Sequence, residues 1–370
     1  MGKQVKTPRF YVDMPTFLHA TGQLGWDDGK GGAELLYMNC ANPYLTEVEQ
    51  AQEQTPFSIG HSSDNTPKTS FPINFVALLN HNLASNINNF RVVGKHGLDT
   101  IVSEDISPSS TGQILNANLV SPHIDPTYNG TTIFEFTSDE QYWKTFSIFY
   151  DSANIIDAGT HQLGSFVVGK YWDAPNSPDL NLTMSRRFDG IKKQKTIGGK
   201  TLANIYYDGP TEWTMNSNNP DYGGSATYKY PPFELDTTAK VDSQGYRFDY
   251  RAKSGLGRKG LRSWNLTFSY ISGDNMWMDN EVSSKVTSDS IDDGQVPTGG
   301  SDPNPMLSDD SFNFVWNCTL GGTLPFIFQP DNTNNTPAQF SICTFRGNSL
   351  SVKQVAFNTY NLSVTIDEVA

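Results

Sequence analysis

Cysteine is scarce in this chain: 370 residues hold three, Cys40, Cys318 and Cys343. An odd number at long spacings offers neither a disulfide framework nor a paired-thiol zinc signature, and it fits synthesis in a reducing compartment. Long apolar runs are also missing. The longest convincing one, Phe75 to Leu79, is far short of the roughly 20 residues that a membrane-spanning helix needs. Behind Met1-Gly2-Lys3-Gln4-Val5-Lys6 no apolar stretch follows, so no signal peptide is expected. Lys6 stands where a myristoylation pattern requires Ser or Thr. The expectation is a chain made and kept in a cytoplasm, with no membrane partner.

Positive charge is in the minority. There are 26 Lys and Arg against 39 Asp and Glu, a net charge of −13. A surface of that sign repels phosphate, so no nucleic-acid partner is expected. Two basic groups interrupt the acidity. One is Lys192, Lys193, Lys195 and Lys200; the other is Arg251, Lys253, Arg258, Lys259 and Arg262. Both read as solvated loops or as donors to intersubunit salt bridges in an acidic assembly.

Motifs that carry chemistry are missing as well. Gly198-Gly199-Lys200-Thr201 approaches a phosphate-binding loop, but the Gly required five residues before Gly199 is Gln194, and no strand-then-long-helix pattern surrounds it. The stretch Asp289 to Gly294 fails as an EF-hand, because the third and twelfth positions are Ile291 and Gly300. An irregular calcium site at Asp289, Asp292 and Asp293 is the remaining variant. The six histidines (His19, His61, His81, His96, His123 and His161) include no pair at helical ligand spacing. No Gly-x-Ser-x-Gly elbow is present. Catalytic, cofactor-binding and metal residues are therefore assigned to none, and no enzyme is expected.

Aromatic and turn-forming residues are plentiful: 22 Phe, 16 Tyr, 7 Trp, 31 Gly and 21 Pro. Short strands joined by long polar loops use this composition, whereas a helical protein would draw on Ala, Leu, Glu and Lys. Period-two alternation, the mark of a half-buried strand, runs through Tyr360, Leu362, Val364 and Ile366, and through Trp264, Leu266, Phe268 and Tyr270. It recurs at Phe312, Phe314, Trp316 and Cys318, at Tyr246, Phe248 and Tyr250, and at Phe146, Ile148 and Tyr150. Phe90 to Val93, Ile133 to Phe136 and Ser165 to Tyr171 read as further strands. Only Thr46 to Gln54 suggests a short helix, with a loop as the alternative.

The fold class expected is all-β, with two β-sandwich, jelly-roll-like domains and long polar loops. Residues 1–55 read as an N-terminal arm or partial domain, 56–175 as one sandwich and 176–370 as a second β-domain. The acidic, Ser-, Gly- and Pro-rich stretch 283–310 reads as a long loop used in interaction.

Two stretches carry a resemblance. Ala77-Leu78-Leu79-Asn80-His81-Asn82-Leu83, followed by Phe90-Arg91-Val92-Val93, resembles the first strands of discoidin-like jelly-roll modules in phage virion proteins. Leu324-Pro325-Phe326-Ile327-Phe328-Gln329-Pro330-Asp331, with Phe340 to Phe345 and Tyr360 to Glu368, resembles the C-terminal part of tail and tail-tip proteins of tailed phages. Arg262-Ser263-Trp264-Asn265-Leu266-Thr267-Phe268 resembles the corresponding strand of such proteins. The resemblance implies a virion structural protein of the distal-tail, tail-tip or baseplate kind, assembled in the host cytoplasm. Its implied partners are copies of itself, with a hexameric ring as one form, and other tail proteins. A carbohydrate-binding receptor-recognition protein for a host surface glycan is an alternative, and exposed Tyr171, Trp172 or Trp213 would favour it. A capsid decoration protein is another. A polysaccharide hydrolase would need a carboxylate pair that the sequence does not nominate.

Overall fold

The structure, a computed structural model, describes residues 5–22, 24, 32–39, 43–48, 54–59, 71–83, 90–95, 103–106, 112–115, 117–120, 123–126, 130–136, 141–143, 145–150, 159–187, 191–205, 261–278, 309–336 and 339–369. In chain order the strands are β1 (Arg9–Val12), β2 (Tyr44–Val48), β3 (Gln54–Ile59), β4 (Phe71–Ile73), β5 (Phe75–His81) and β6 (Arg91–Lys95). Then come β7 (Ser103–Ile106), β8 (Gly112–Ile114), β9 (Ala117–Val120), β10 (His123–Pro126), β11 (Gly130–Phe136) and β12 (Gln141–Trp143). These are followed by β13 (Thr145–Tyr150), β14 (Gly159–Leu163), β15 (Ser165–Gly169), β16 (Tyr171–Asp173), β17 (Thr183–Arg187) and β18 (Ile191–Lys195). The last are β19 (Thr201–Ile205), β20 (Leu261–Ser272), β21 (Phe326–Gln329), β22 (Ser341–Phe345), β23 (Ser351–Ala356) and β24 (Thr359–Glu368). Among the described residues three short α-helices accompany them: α1 (Met14–Ala20), α2 (Gly273–Met276) and α3 (Phe312–Cys318). The chain is all-β, and its strand pairings are antiparallel throughout the described residues.

The largest sheet has eight strands in the order β16-β1-β21-β22-β24-β20-β17, with β23 added on β24. It draws on all three segments read from sequence: β1 from residues 1–55, β16 from 56–175 and the rest from 176–370. Its longest ladder is β20 on β24, where Trp264 lies opposite Ile366, Leu266 opposite Val364 and Phe268 opposite Leu362. All six are buried, as the alternation required. After Phe268 the register shifts by a bulge, and Tyr270, with φ at 62°, is turned out to solvent.

A four-stranded sheet, β15-β5-β11-β8, continues from the first. The chain passes between them at Lys170: β15 pairs with β5, and three residues later β16 pairs with β1. At this crossing the backbone of Gly169 lies so close to β1 that an added Cβ would stand 2.2 Å from the Val12 carbonyl oxygen, so only a hydrogen fits there. Apolar residues fill both faces. Phe10, Val12, Phe326 and Phe328 enter the main core, while Tyr11, Ile327 and Ile342 meet Phe75, Ala77, Leu79, Ile133 and Val167 in a second cluster. Burial on both faces explains why Phe75 to Leu79 reads as a continuous apolar run rather than an alternating one.

Several expectations change. Phe312, Phe314, Trp316 and Cys318 form helix α3 rather than a strand, and its buried set includes Val315 while Trp316 is half exposed. Phe314 and Cys318 share a face at helical spacing, which a two-residue alternation imitates over seven residues. Of the Thr46–Gln54 stretch, 46–48 lie in β2 and Gln54 opens β3, strands rather than a helix or loop, and 49–53 lie outside the described residues. Ser165–Tyr171 divides at Lys170 between two sheets. Helix α1 was not foreseen. Asp13 caps it by accepting the Thr16 backbone N–H, and Pro15 sits in its first turn. Tyr246 to Tyr250, Trp213, Cys40, the calcium variant at Asp289–Asp293 and all of 283–310 except Asp309 and Asp310 lie outside the described residues.

Candidate functional site

The crossing between the two sheets holds the densest group of buried charge among the described residues. β1 presents alternate side chains, Arg9 and Tyr11, toward β16 and β11. Arg9 donates through Nε to Asp173 Oδ1 at 2.6 Å and through Nη2 to Oδ2 at 2.7 Å, a two-pronged bond that fixes the plane of both groups. Its Nη1 lies 2.5 Å from Glu135 Oε2 on β11, and its guanidinium carbon stands 3.9 Å from the centre of the Tyr171 ring. The Tyr11 hydroxyl is 2.5 Å from Glu135 Oε1 and 2.8 Å from Gln329 Oε1. A phenol has one proton, and the charged carboxylate is the stronger acceptor. Gln329 in turn donates to the Asn334 carbonyl and to Asn335 Oδ1, each at 3.1 Å. Lys170, buried at the crossing itself, reaches Asp310 Oδ1 at 2.8 Å.

Electrostatics follow from this packing. Burial pushes the Tyr11 phenol well above its ordinary value, and the Glu135 charge adds to it. Burial alone would lower the Arg9 guanidinium, but its bond to Asp173 and the charge of Glu135 outweigh that and raise it. Burial raises Tyr171 as well. Both Glu135 oxygens and both Asp173 oxygens are engaged, and Glu135 is buried. The arrangement holds segments distant in sequence together.

A second buried ion pair closes the C-terminal strand. Arg262 on β20 donates through Nη2 to Glu368 Oε1 at 2.8 Å and through Nε to Oε2 at 3.0 Å, and its Nη2 also reaches the Phe340 carbonyl and the Ser341 hydroxyl. Arg262 is therefore no solvated loop residue, although the sequence placed it in a basic group; Arg251 to Lys259 are not described.

Of the six histidines, His61 and His96 lie outside the described residues. His81 is buried: its Nδ1 accepts the Leu83 N–H at 3.2 Å, which leaves Nε2 to donate to Thr132 Oγ1 at 2.8 Å. His161 is buried in β14, and His19 contacts the Tyr37 hydroxyl at 2.7 Å. Among the described residues no three His, Cys, Asp or Glu side chains gather as a metal set. Cys318 and Cys343 are buried free thiols, both pushed up by burial. Gly198 to Thr201, the near phosphate loop, lies at the turn between β18 and β19, not at the start of a helix. Tyr171 and Trp172, named as sugar-stacking candidates if exposed, are not loop residues: Tyr171 lies under Arg9, and Trp172 packs on Phe10 and Phe312.

The exposed features are at the other edge. Among the described strands β17 ends the eight-stranded sheet, with all five residues in solvent. Large apolar side chains are also exposed on elements around the opposite, C-terminal end of β20. Leu180 is fully exposed, in a turn fastened by the Asp179 N–H to the Thr267 carbonyl and by Ser269 to the Asp179 carboxylate. Tyr270 is 76% exposed, its N–H donating to Asn361 Oδ1. Phe357, in the β23–β24 turn, is 95% exposed, and the next residue accepts the Gly273 N–H through its carbonyl. Sequence pattern alone missed this group, because Tyr270 carries the alternation of buried positions and only the bulge turns it outward.

Comparison with protein-family models, with curated proteins and with solved structures finds no match to this chain.

Proposed function

We propose that the chain is a non-catalytic structural component of a tailed-phage virion, a tail or tail-tip (baseplate) protein that self-assembles and contacts the tail tube. In this reading its β-strands form two jelly-roll-like sandwiches. The observation that carries self-assembly is the set of exposed apolar side chains Leu180, Tyr270 and Phe357, which stand on elements around the C-terminal end of β20. Water-exposed apolar side chains of this size mark interaction surfaces. The virion assignment rests on the tail-protein resemblance, whose Phe326-Ile327-Phe328-Gln329 stretch is strand β21. A body whose buried ionisable groups are spent on ties between distant segments suits a mechanical role.

The triple variant Leu180→Ser, Tyr270→Ser, Phe357→Ser tests it. Each position is exposed, so each substitution is expected to change stability by no more than about 0.5 kcal/mol. Sedimentation of wild type and variant at matched concentrations is expected to show association in the first and its loss or weakening in the second. Equal association of the two would remove this surface from the account.

A further inference from the structure

The hairpin β18–β19 forms a two-stranded sheet of its own among the described strands. Its two strands pair with each other from Ile191 opposite Ile205 to Lys195 opposite Thr201, and with no other described strand. Residues 193–203 are exposed without interruption. The turn is well made. The Gly199 N–H donates to the Thr196 carbonyl at 2.9 Å, the Thr196 N–H donates to the Lys200 carbonyl at 2.8 Å, and Gly199 takes φ at 80°. This is a three-residue hairpin loop with a glycine bulge, the one position where a left-handed backbone is needed. Ile197 stands fully exposed at its tip.

Two physical facts bear on such an element. A two-stranded ribbon is marginal by itself in water and gains its stability from a surface it lies on. Here, none of the described residues buries residues 193–203. The second fact is charge. Residues 191–205 carry four basic residues (Lys192, Lys193, Lys195 and Lys200) and no acidic one, a net of +4. The other residues of the chain then carry 22 basic and 39 acidic residues, a net of −17. The ribbon is a positive element on a strongly negative molecule. Lys193 and Lys195, two apart on β18, point to the same side of it. Lys200 stands just past the turn.

We infer that the Ile191–Ile205 hairpin is a basic docking arm that seats on the acidic surface of a second copy of this chain. Every copy carries both halves of the contact, the positive ribbon and the negative body, so charge complementarity selects a like copy as the partner. The two halves are different surfaces, which makes the contact head-to-tail. Such contacts close into rings or run on as filaments. Ile197 is the apolar anchor at the centre and the lysines form its charged rim, steering encounter and making it salt-sensitive. The inference rests on the self-assembly part of the proposed function but uses a different surface from the Leu180, Tyr270 and Phe357 group.

The test is sedimentation velocity on the full chain and on the variant Lys193→Glu, Lys195→Glu, Lys200→Glu, whose positions are all exposed. Wild type is expected to self-associate, with a dissociation constant that rises by about tenfold or more between roughly 0.05 and 0.5 M salt. The variant is expected to lose self-association while keeping its circular-dichroism spectrum. It retains an unaltered acidic body, so wild type is expected to capture a tagged variant, which a simple loss of fold would not allow. Self-association of the variant equal to wild type would overturn the arm and leave assembly through the apolar end standing. A wild type that is monomeric at every concentration would overturn both. A wild type that stays monomeric but binds labelled duplex DNA through these lysines would also overturn it and assign the arm to a polyanion.

Discussion

Replacing Arg9 by Met is expected to cost about 3–5 kcal/mol, the range for removing one partner of a buried ion pair and leaving the other charged. Three losses combine at this position. Glu135, buried on β11, loses its only cation in the described cluster and keeps a single phenol donor. Asp173 loses a two-pronged bond, but it is partly exposed and water replaces much of that loss. Tyr171 loses the guanidinium stacked on its ring, worth about 0.5–1 kcal/mol at a partly exposed site. Met fills most of the stem volume, so little of the effect is cavity. Against a total stability of about 5–15 kcal/mol the change is large, and for a cooperative unit of this length it corresponds to a fall in melting temperature of roughly 4–6 °C. The assay is urea unfolding followed by tryptophan fluorescence, in a set with Glu135→Gln and the double variant. The double variant is expected to recover at least half of the Arg9→Met loss, because a neutral amide still accepts the Tyr11 proton and no bare charge remains. A loss under about 0.5 kcal/mol for Arg9→Met, as for an ordinary surface position, would refute the claim that this cluster ties the two sheets. So would a double variant no better than the single one.

Two further outcomes follow from the same crossing. Burial raises the Asp13 carboxyl from its ordinary 3.8 to about 7, against the hydrogen bonds from Thr16 that pull it down. The folded state therefore binds a proton more tightly than the unfolded chain. The stability this supplies is complete below 3.8 and is lost as pH rises through about 7. Asp13→Asn keeps a capping acceptor without the titration. Its unfolding midpoint is expected to fall less than that of wild type between those pH values, and parallel curves for the two proteins would contradict the assignment. Gly169→Ala is expected to cost about 2 kcal/mol or more, since the new methyl would meet a backbone oxygen that cannot swing aside. Thermal unfolding measures it, and an unchanged midpoint would mean that the two strands are not in close approach.

Much of the strand content was legible because burial on one face imposes a two-residue period. Trp264, Leu266 and Phe268, and Leu362, Val364 and Ile366, obey it and lie where it puts them. What failed did so for local reasons. Helix α3 is only seven residues long, too short for a period of 3.6 to separate from a period of two, and nearly all of it is buried. The Asp13 and Pro15 signals for α1 were present, but the helix has just two turns. The charge cluster was not legible. Arg9, Glu135, Asp173 and Gln329 are scattered over more than 300 positions and meet only because β1 lies between β16 and β21. The basic group at Lys192 to Lys200 was visible as composition, whereas the pairing of β18 with β19 and the exposure of residues 193–203 are properties of the fold.

Assembly into a head-to-tail oligomer is the central claim, and its most direct test is sedimentation velocity of the unmodified chain over a concentration series, with negative-stain images of the heaviest species. The mass is expected to climb with concentration to a discrete oligomer, seen as a closed ring. A single monomeric species across the whole series, at low and at physiological salt, would contradict it.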